Sequence, residues 1–174
     1  PDIVTMAKGV ASGYAAISCC VTTNRVFEMF KDDSDHMGYF RDISTFGGCT
    51  AGPAAAIENM KIIEEENLLE NAVRVGAHVA EGLRNLQQNH ECIGDVRDKG
   101  LFFAVELVTD RETRAPATEL AGRLINLMRD KGVLISRIGR HDNILKMRPP
   151  MPFATEHAVL LLATLAECFK ELEA

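Results

Sequence analysis

From Thr155 onward apolar residues recur at helical spacing: Ala158, Leu161, Leu162, Leu165, Phe169 and Leu172 share one face, and Thr155 is placed to cap the helix they define. The same period runs through Leu120, Leu124, Leu127 and Met128 and breaks at Lys131-Gly132, where glycine adopts the left-handed backbone that ends helices at little cost. Asn67 followed by Glu70 has capping-box spacing, and Val73, Val79, Leu83 and Leu86 extend an apolar stripe beyond it. Nearer the N-terminus, Pro53 suits a first helical turn, and Ile57, Met60 and Ile63 lead down to Glu64-Glu65-Glu66.

Shorter apolar runs between these stripes predict strands. Residues 93–97 and 101–108 flank the turn Asp98-Lys99-Gly100 and read as a β-hairpin with one apolar face. Residues 133–136 and 144–148 are two further strand candidates, and Pro149-Pro150 ends the second. At the start, Pro1-Asp2 reads as a turn into a short buried strand through Ala7, residues 15–21 as a second buried strand, and Thr23 as the cap of a helix through about Phe30. Residues 31–50, rich in Asp, Ser and Gly, read as one long loop, and loops of that length in compact domains tend to be functional or disordered. The order helix, two strands, helix, two strands, helix makes residues 67–174 a small α+β domain, preceded by an α/β segment over residues 1–66.

Composition narrows the classes. The 174 residues are enough for a sizeable core, and 47% apolar with 25% charged residues describes a globular chain. A net charge of −6 argues against nucleic acid and anionic membrane surfaces as partners, though a small basic pocket for a phosphate stays compatible with it. No apolar run is long enough to span a bilayer and no secretory signal pattern opens the chain, so a cytoplasmic location is expected; without an initiator methionine, the chain is expected to start mid-protein. The five cysteines lack C-x-x-C spacing and read as free thiols, and the five scattered histidines give no metal-binding pattern.

Lys8 follows a strand and precedes Gly9, a placement from which a side chain can enter a crevice at the end of a sheet. On spacing alone, a solvated surface lysine fits as well. The whole run Pro1-Asp2-Ile3-Val4-Thr5-Met6-Ala7-Lys8-Gly9 resembles the segment of class III aminotransferases that carries the Schiff-base lysine, and Ser44-Thr45-Phe46-Gly47-Gly48 is similar to the family loop whose threonine binds the cofactor phosphate of the neighbouring subunit. Residues 54–66, Gly94-Asp95-Val96-Arg97, Lys99-Gly100-Leu101 and the Pro149-Pro150 pair extend the resemblance over nearly the whole chain.

The resemblance implies an α/β fold: the C-terminal part of a pyridoxal-phosphate-binding large domain over residues 1–66, then a small C-terminal domain over residues 67–174. It implies pyridoxal 5'-phosphate as cofactor, Lys8 as catalytic and cofactor-binding residue, and Ser44 and Thr45 as cofactor-binding residues. The partners it implies are a small amino donor, a 2-oxo acid acceptor such as pyruvate and a second copy of the chain in a homodimer. The residue types suit this chemistry. A lysine amine becomes a nucleophile once its proton is lost, which burial or a nearby cation favours. Hydroxyl and amide donors beside glycines approach a phosphate closely.

Some positions depart from the family pattern. Lys146 stands where many members carry an arginine, with Arg148 two residues on along the same strand face; either cation is a candidate for a substrate carboxylate or phosphate, although lysine lacks the bidentate fork of arginine. A solvated strand face is the plain alternative. Cys49-Thr50 replaces a His-Pro or Asn-Pro, which leaves Cys49 either lining the site or buried and inert, and His36, Tyr39 and Phe40 fall in the same loop. The family residues that pair with the pyridine nitrogen, stack on the ring and form the glycine loop precede the lysine, so this sequence does not contain them. Two other readings remain open: a phospho-lyase or decarboxylase of the same family, and an inactive chain retaining only a dimerisation surface.

Overall fold

The apolar stripe of the last helix meets two others over an antiparallel sheet, in a computed structural model that describes residues 1–173 apart from 33, 35–37, 39 and 41–43. The loop residues His36 and Tyr39 therefore lie outside the described residues. By its contacts the chain divides into two compact units, Pro1–Glu66 and Asn67–Ala174.

In the second unit, α3 (Leu68–Asn89), α4 (Thr118–Asp130) and α5 (Thr155–Glu173) pack on a sheet ordered β3 (Ile93–Lys99), β4 (Phe102–Asp110), β7 (Ile144–Met147), β6 (Ser136–Ile138), with β5 (Ala115–Pro116) paired to β4. Every pairing is antiparallel. Alternation explains the sheet: Phe103, Val105 and Leu107 of β4 and Leu145 and Met147 of β7 face the helices, while Phe102, Ala104, Glu106 and Lys146 take the other face. Val75, Val79 and Leu83 of α3, Leu124 and Met128 of α4, and Leu161, Leu165 and Phe169 of α5 complete the core.

The hairpin forms where expected, with Lys99 opposite Phe102 and Gly100 at φ 54° in the loop between them. Helix α4 ends as expected: Gly132 has φ 87° and the Val133 amide bonds back to the Met128 carbonyl at 2.8 Å. Three expectations are revised. The strand expected at residues 133–136 begins only at Ser136, because Val133 still closes the end of α4. Asn67 makes no capping bond and sits at φ 53°, turning the chain between two helices. Val73 faces out, the buried face of α3 running instead through Val75, Val79 and Leu83.

The first unit is a two-stranded antiparallel ribbon, β1 (Ile3–Ala7) with β2 (Ser18–Thr22), followed by α1 (Asn24–Phe27), a 3-10 turn (Glu28–Phe30) and α2 (Ala51–Glu65). Both strands exist, but neither is buried: β2 begins at Ser18 and not at residue 15, and β1 is exposed along its whole length because β2 is its one described strand neighbour and nothing described covers its faces. Helix α2 also differs from the pattern: Ile57, Met60 and Ile62 are exposed, and the buried side is the small one, Gly52 and Ala56.

Candidate functional site

Lys8 occupies a sharp reversal. Ala7 is still extended at φ −156°, Lys8 turns to φ 55°, and the 3-10 turn Lys8–Ala11 leads to Ser12 at φ 50° and Gly13 at φ 80°. A non-glycine residue in the left-handed region costs about 1–3 kcal/mol and persists where its surroundings over-determine it, a condition met most often at functional sites. The turn is closed by the Ser12 amide on the Gly9 carbonyl at 3.1 Å, the Tyr14 amide on the Ala11 carbonyl at 2.9 Å and the Gly13 amide on the Lys8 carbonyl at 3.4 Å. Ala11 is buried under it. From α2, the Asn59 side-chain amide donates to the carbonyls of Gly9 and Val10, each at 3.1 Å. Nothing in the apolar pattern marks Asn59, since a lone asparagine in a helix gives no periodic signal.

The Lys8 side chain is exposed and has no hydrogen bond or ion pair among the described residues. The second candidate element, residues 44–48, is a tight turn in which the Gly47 amide bonds to the Ser44 carbonyl at 3.1 Å and the Cys49 amide to the Phe46 carbonyl at 3.2 Å. A Cβ on Gly47 would stand 3.2 Å from the Ser44 carbonyl oxygen, and Gly48 sits at φ 85°, so both glycines serve the geometry. Ser44 and Thr45 are exposed and their hydroxyls have no described partner. Cys49 is exposed too, which removes the buried-thiol reading. Phe40 rests edge-on against Phe30, the ring centroids 5.2 Å apart. No described hydrogen bond joins Lys8 to Ser44 or Thr45.

In the other unit, Lys146 and Arg148 follow the alternation of β7 onto the face away from the helices, roughly 6.7 Å apart along the strand. Lys146 stands between Ala104 and Ser136 in the register. The Arg148 guanidinium lies over the Phe102 ring, 5.8 Å from its centroid, a contact the sequence did not suggest. On the same face Arg97 is neutralised by Asp95 and by Glu106, the latter at 3.0 Å, and the Glu106 bond chiefly raises its guanidinium above the ordinary value. Lys146 and Arg148 have no carboxylate partner among the described residues. Both border a groove of about 910 Å³, lined also by Leu134, Ile135, Pro150 and Leu160.

No described group of acidic, histidine or cysteine residues could hold a metal ion, and no described helix is long and apolar enough to cross a membrane.

The family Aminotransferase class-III matches residues 1–169, and the chain belongs to that family. The chain is 54% identical over 162 residues to a taurine–pyruvate aminotransferase of Bilophila wadsworthia, covering 90% of this chain and 35% of that protein. It is 65% identical over 120 residues to a hypotaurine/taurine–pyruvate aminotransferase of Paracoccus denitrificans, covering 68% and 26%. An aminotransferase of Bacillus anthracis superposes with a TM-score of 0.89 at 35% identity, over 98% of this chain and 39% of that one. A phospholyase from Arthrobacter in complex with phosphoethanolamine superposes with a TM-score of 0.85 at 36% identity, over the same shares. The chain thus spans about a third of the length of these relatives. Pyridoxal phosphate is the cofactor of class III aminotransferases.

Proposed function

We propose that this chain serves a transaminase that moves an amino group from an amine or ω-amino acid to a 2-oxo acid, with pyruvate as acceptor and a donor of the taurine type. The identity of 54% and 65% to two taurine–pyruvate aminotransferases, in a chain that retains the lysine motif, carries this reading. In it Lys8 holds pyridoxal phosphate, Ser44 and Thr45 donate to its phosphate, with Thr45 serving the neighbouring subunit of a cytoplasmic homodimer, and Lys146 and Arg148 take the acid group of the donor.

When bound, pyridoxal phosphate supplies a ring that accepts the electron pair left when a proton departs from the substrate carbon. Lys8 would hold the group through Nζ, and with that amine free and neutral it would act as the base that takes the proton from the carbon bearing the amino group and as the acid that gives it back. Lys146 and Arg148 orient the donor through its anionic end. Two cations approaching from different positions on one strand suit a tetrahedral sulfonate, which presents oxygens in three directions, at least as well as a planar carboxylate.

The phospholyase likeness sustains a second reading, elimination of phosphate from an amino alcohol phosphate. One assay separates them. With pyridoxal phosphate and pyruvate present, alanine should form in proportion to added taurine or another ω-amino acid. Release of inorganic phosphate from phosphoethanolamine without any 2-oxo acid would replace the transaminase reading, and neither product would leave the chain as an inactive piece with a dimerisation surface.

A further inference from the structure

Helix α2 meets the turn after β1 with one face, on which Gly52, Ala56 and Asn59 follow at steps of four and three residues. The first two are buried and small, so the helix lies close: a Cβ on Gly52 would stand 3.4 Å from the Ala16 carbonyl. An apolar residue at 59 would simply continue that face. Asparagine places an amide nitrogen there instead, which donates to both the Gly9 and the Val10 carbonyl. Those carbonyls directly follow Lys8, whose own backbone is held at φ 55°. Of the bonds that close the turn internally, the one to the Lys8 carbonyl is long, at 3.4 Å. Among the described residues, the hydrogen bonds that reach this backbone from another element come from Asn59.

We propose that Asn59 is a positioning residue for Lys8, holding the Gly9 and Val10 carbonyls so that the left-handed backbone at Lys8 presents its amine to pyridoxal phosphate. This rests on the reading of Lys8 as the cofactor lysine. A positioned lysine reacts with the cofactor in preference to solvated ones, and loss of the clamp should erase that preference without erasing the fold.

The experiment treats the protein with limiting pyridoxal phosphate, reduces it with borohydride and compares phosphopyridoxyl label on Lys8 with that on exposed Lys99 and Lys170 by peptide mass spectrometry. Asn59→Ala, which favours helix, should lower the Lys8 to Lys99 ratio by roughly tenfold or more, two hydrogen bonds being lost. Asn59→Gln keeps both donors and should recover part of the ratio. Asn71→Ala is the control: its side chain clamps the Met151 and Phe153 carbonyls at 2.9 and 3.1 Å in the other unit, and its loss should leave the ratio unchanged. Should the alanine variant fail to fold, Asn59→Asp replaces it with the same two outcomes. A folded variant without the donors that labels Lys8 as selectively as wild type overturns the proposal, as does an equal fall in Asn71→Ala. A wild-type protein with no preference for Lys8 overturns the reading of Lys8 itself, a result distinct from either.

Discussion

Burial, and then the Glu173 charge, push the Cys92 thiol up to about 12; its sulfur is 3.5 Å from one Glu173 oxygen while His90 Nδ1 meets the other at 2.8 Å. Cys92 should stay unalkylated by iodoacetamide at pH 8 in the native protein, whereas exposed Cys20 and Cys49 react; peptide mapping checks this. The folded value lies above the ordinary 9.0, so the stability this group contributes is whole below about pH 9 and is lost as pH rises toward 12. Urea unfolding across that window should show a steeper loss in wild type than in Cys92→Ala. At the same scale the run around Lys8 stands out in the sequence because its neighbours form a specific motif, whereas Asn59 and Phe102 carry no signal: each acts through contacts with residues distant in sequence, 49 positions away for Asn59 and Val10.

Among the elements, α4 and α5 were legible from period alone, because their apolar stripes face one covered side. Helix α2 was not. Its larger apolar residues suggested the buried face, but the close packing falls to Gly52 and Ala56, and periodicity records hydrophobicity without recording which side another element can approach. Strand β5, two residues including Pro116, is too short for any pattern. Helix α3 shows the same tight packing at Gly76, where a Cβ would overlap the backbone of Gly100 in the hairpin loop. Gly76→Ala should cost about 1–3 kcal/mol by urea unfolding, since the backbone it strikes cannot rotate aside. On the outer sheet face, Arg148→Ala should raise KM for an acidic donor by roughly tenfold or more, the value of a charge-assisted bond, with less than about twofold effect on a neutral amine donor. An equal effect on both donors would assign Arg148 a structural role.

Across the whole molecule, the large buried cluster belongs to the second unit, while the described buried residues of the first are small: Ala11, Gly52 and Ala56. Residues 67–174 alone should unfold cooperatively in urea, and residues 1–66 alone should not, because a two-stranded ribbon with exposed faces is marginal in water. If Thr45 serves the neighbouring subunit, Lys8→Ala and Thr45→Ala chains each retain cofactor poorly, yet a mixture of the two assembles one intact site per mixed dimer and regains part of the binding. Mixing without recovery would place Thr45 in its own chain's site or outside any site.

Absorbance titration with pyridoxal phosphate of wild type beside Lys8→Ala, read again after gel filtration, tests most directly whether Lys8 holds the cofactor. Wild type should keep a shifted near-visible band that Lys8→Ala lacks; a band retained equally by both proteins would contradict that role for Lys8.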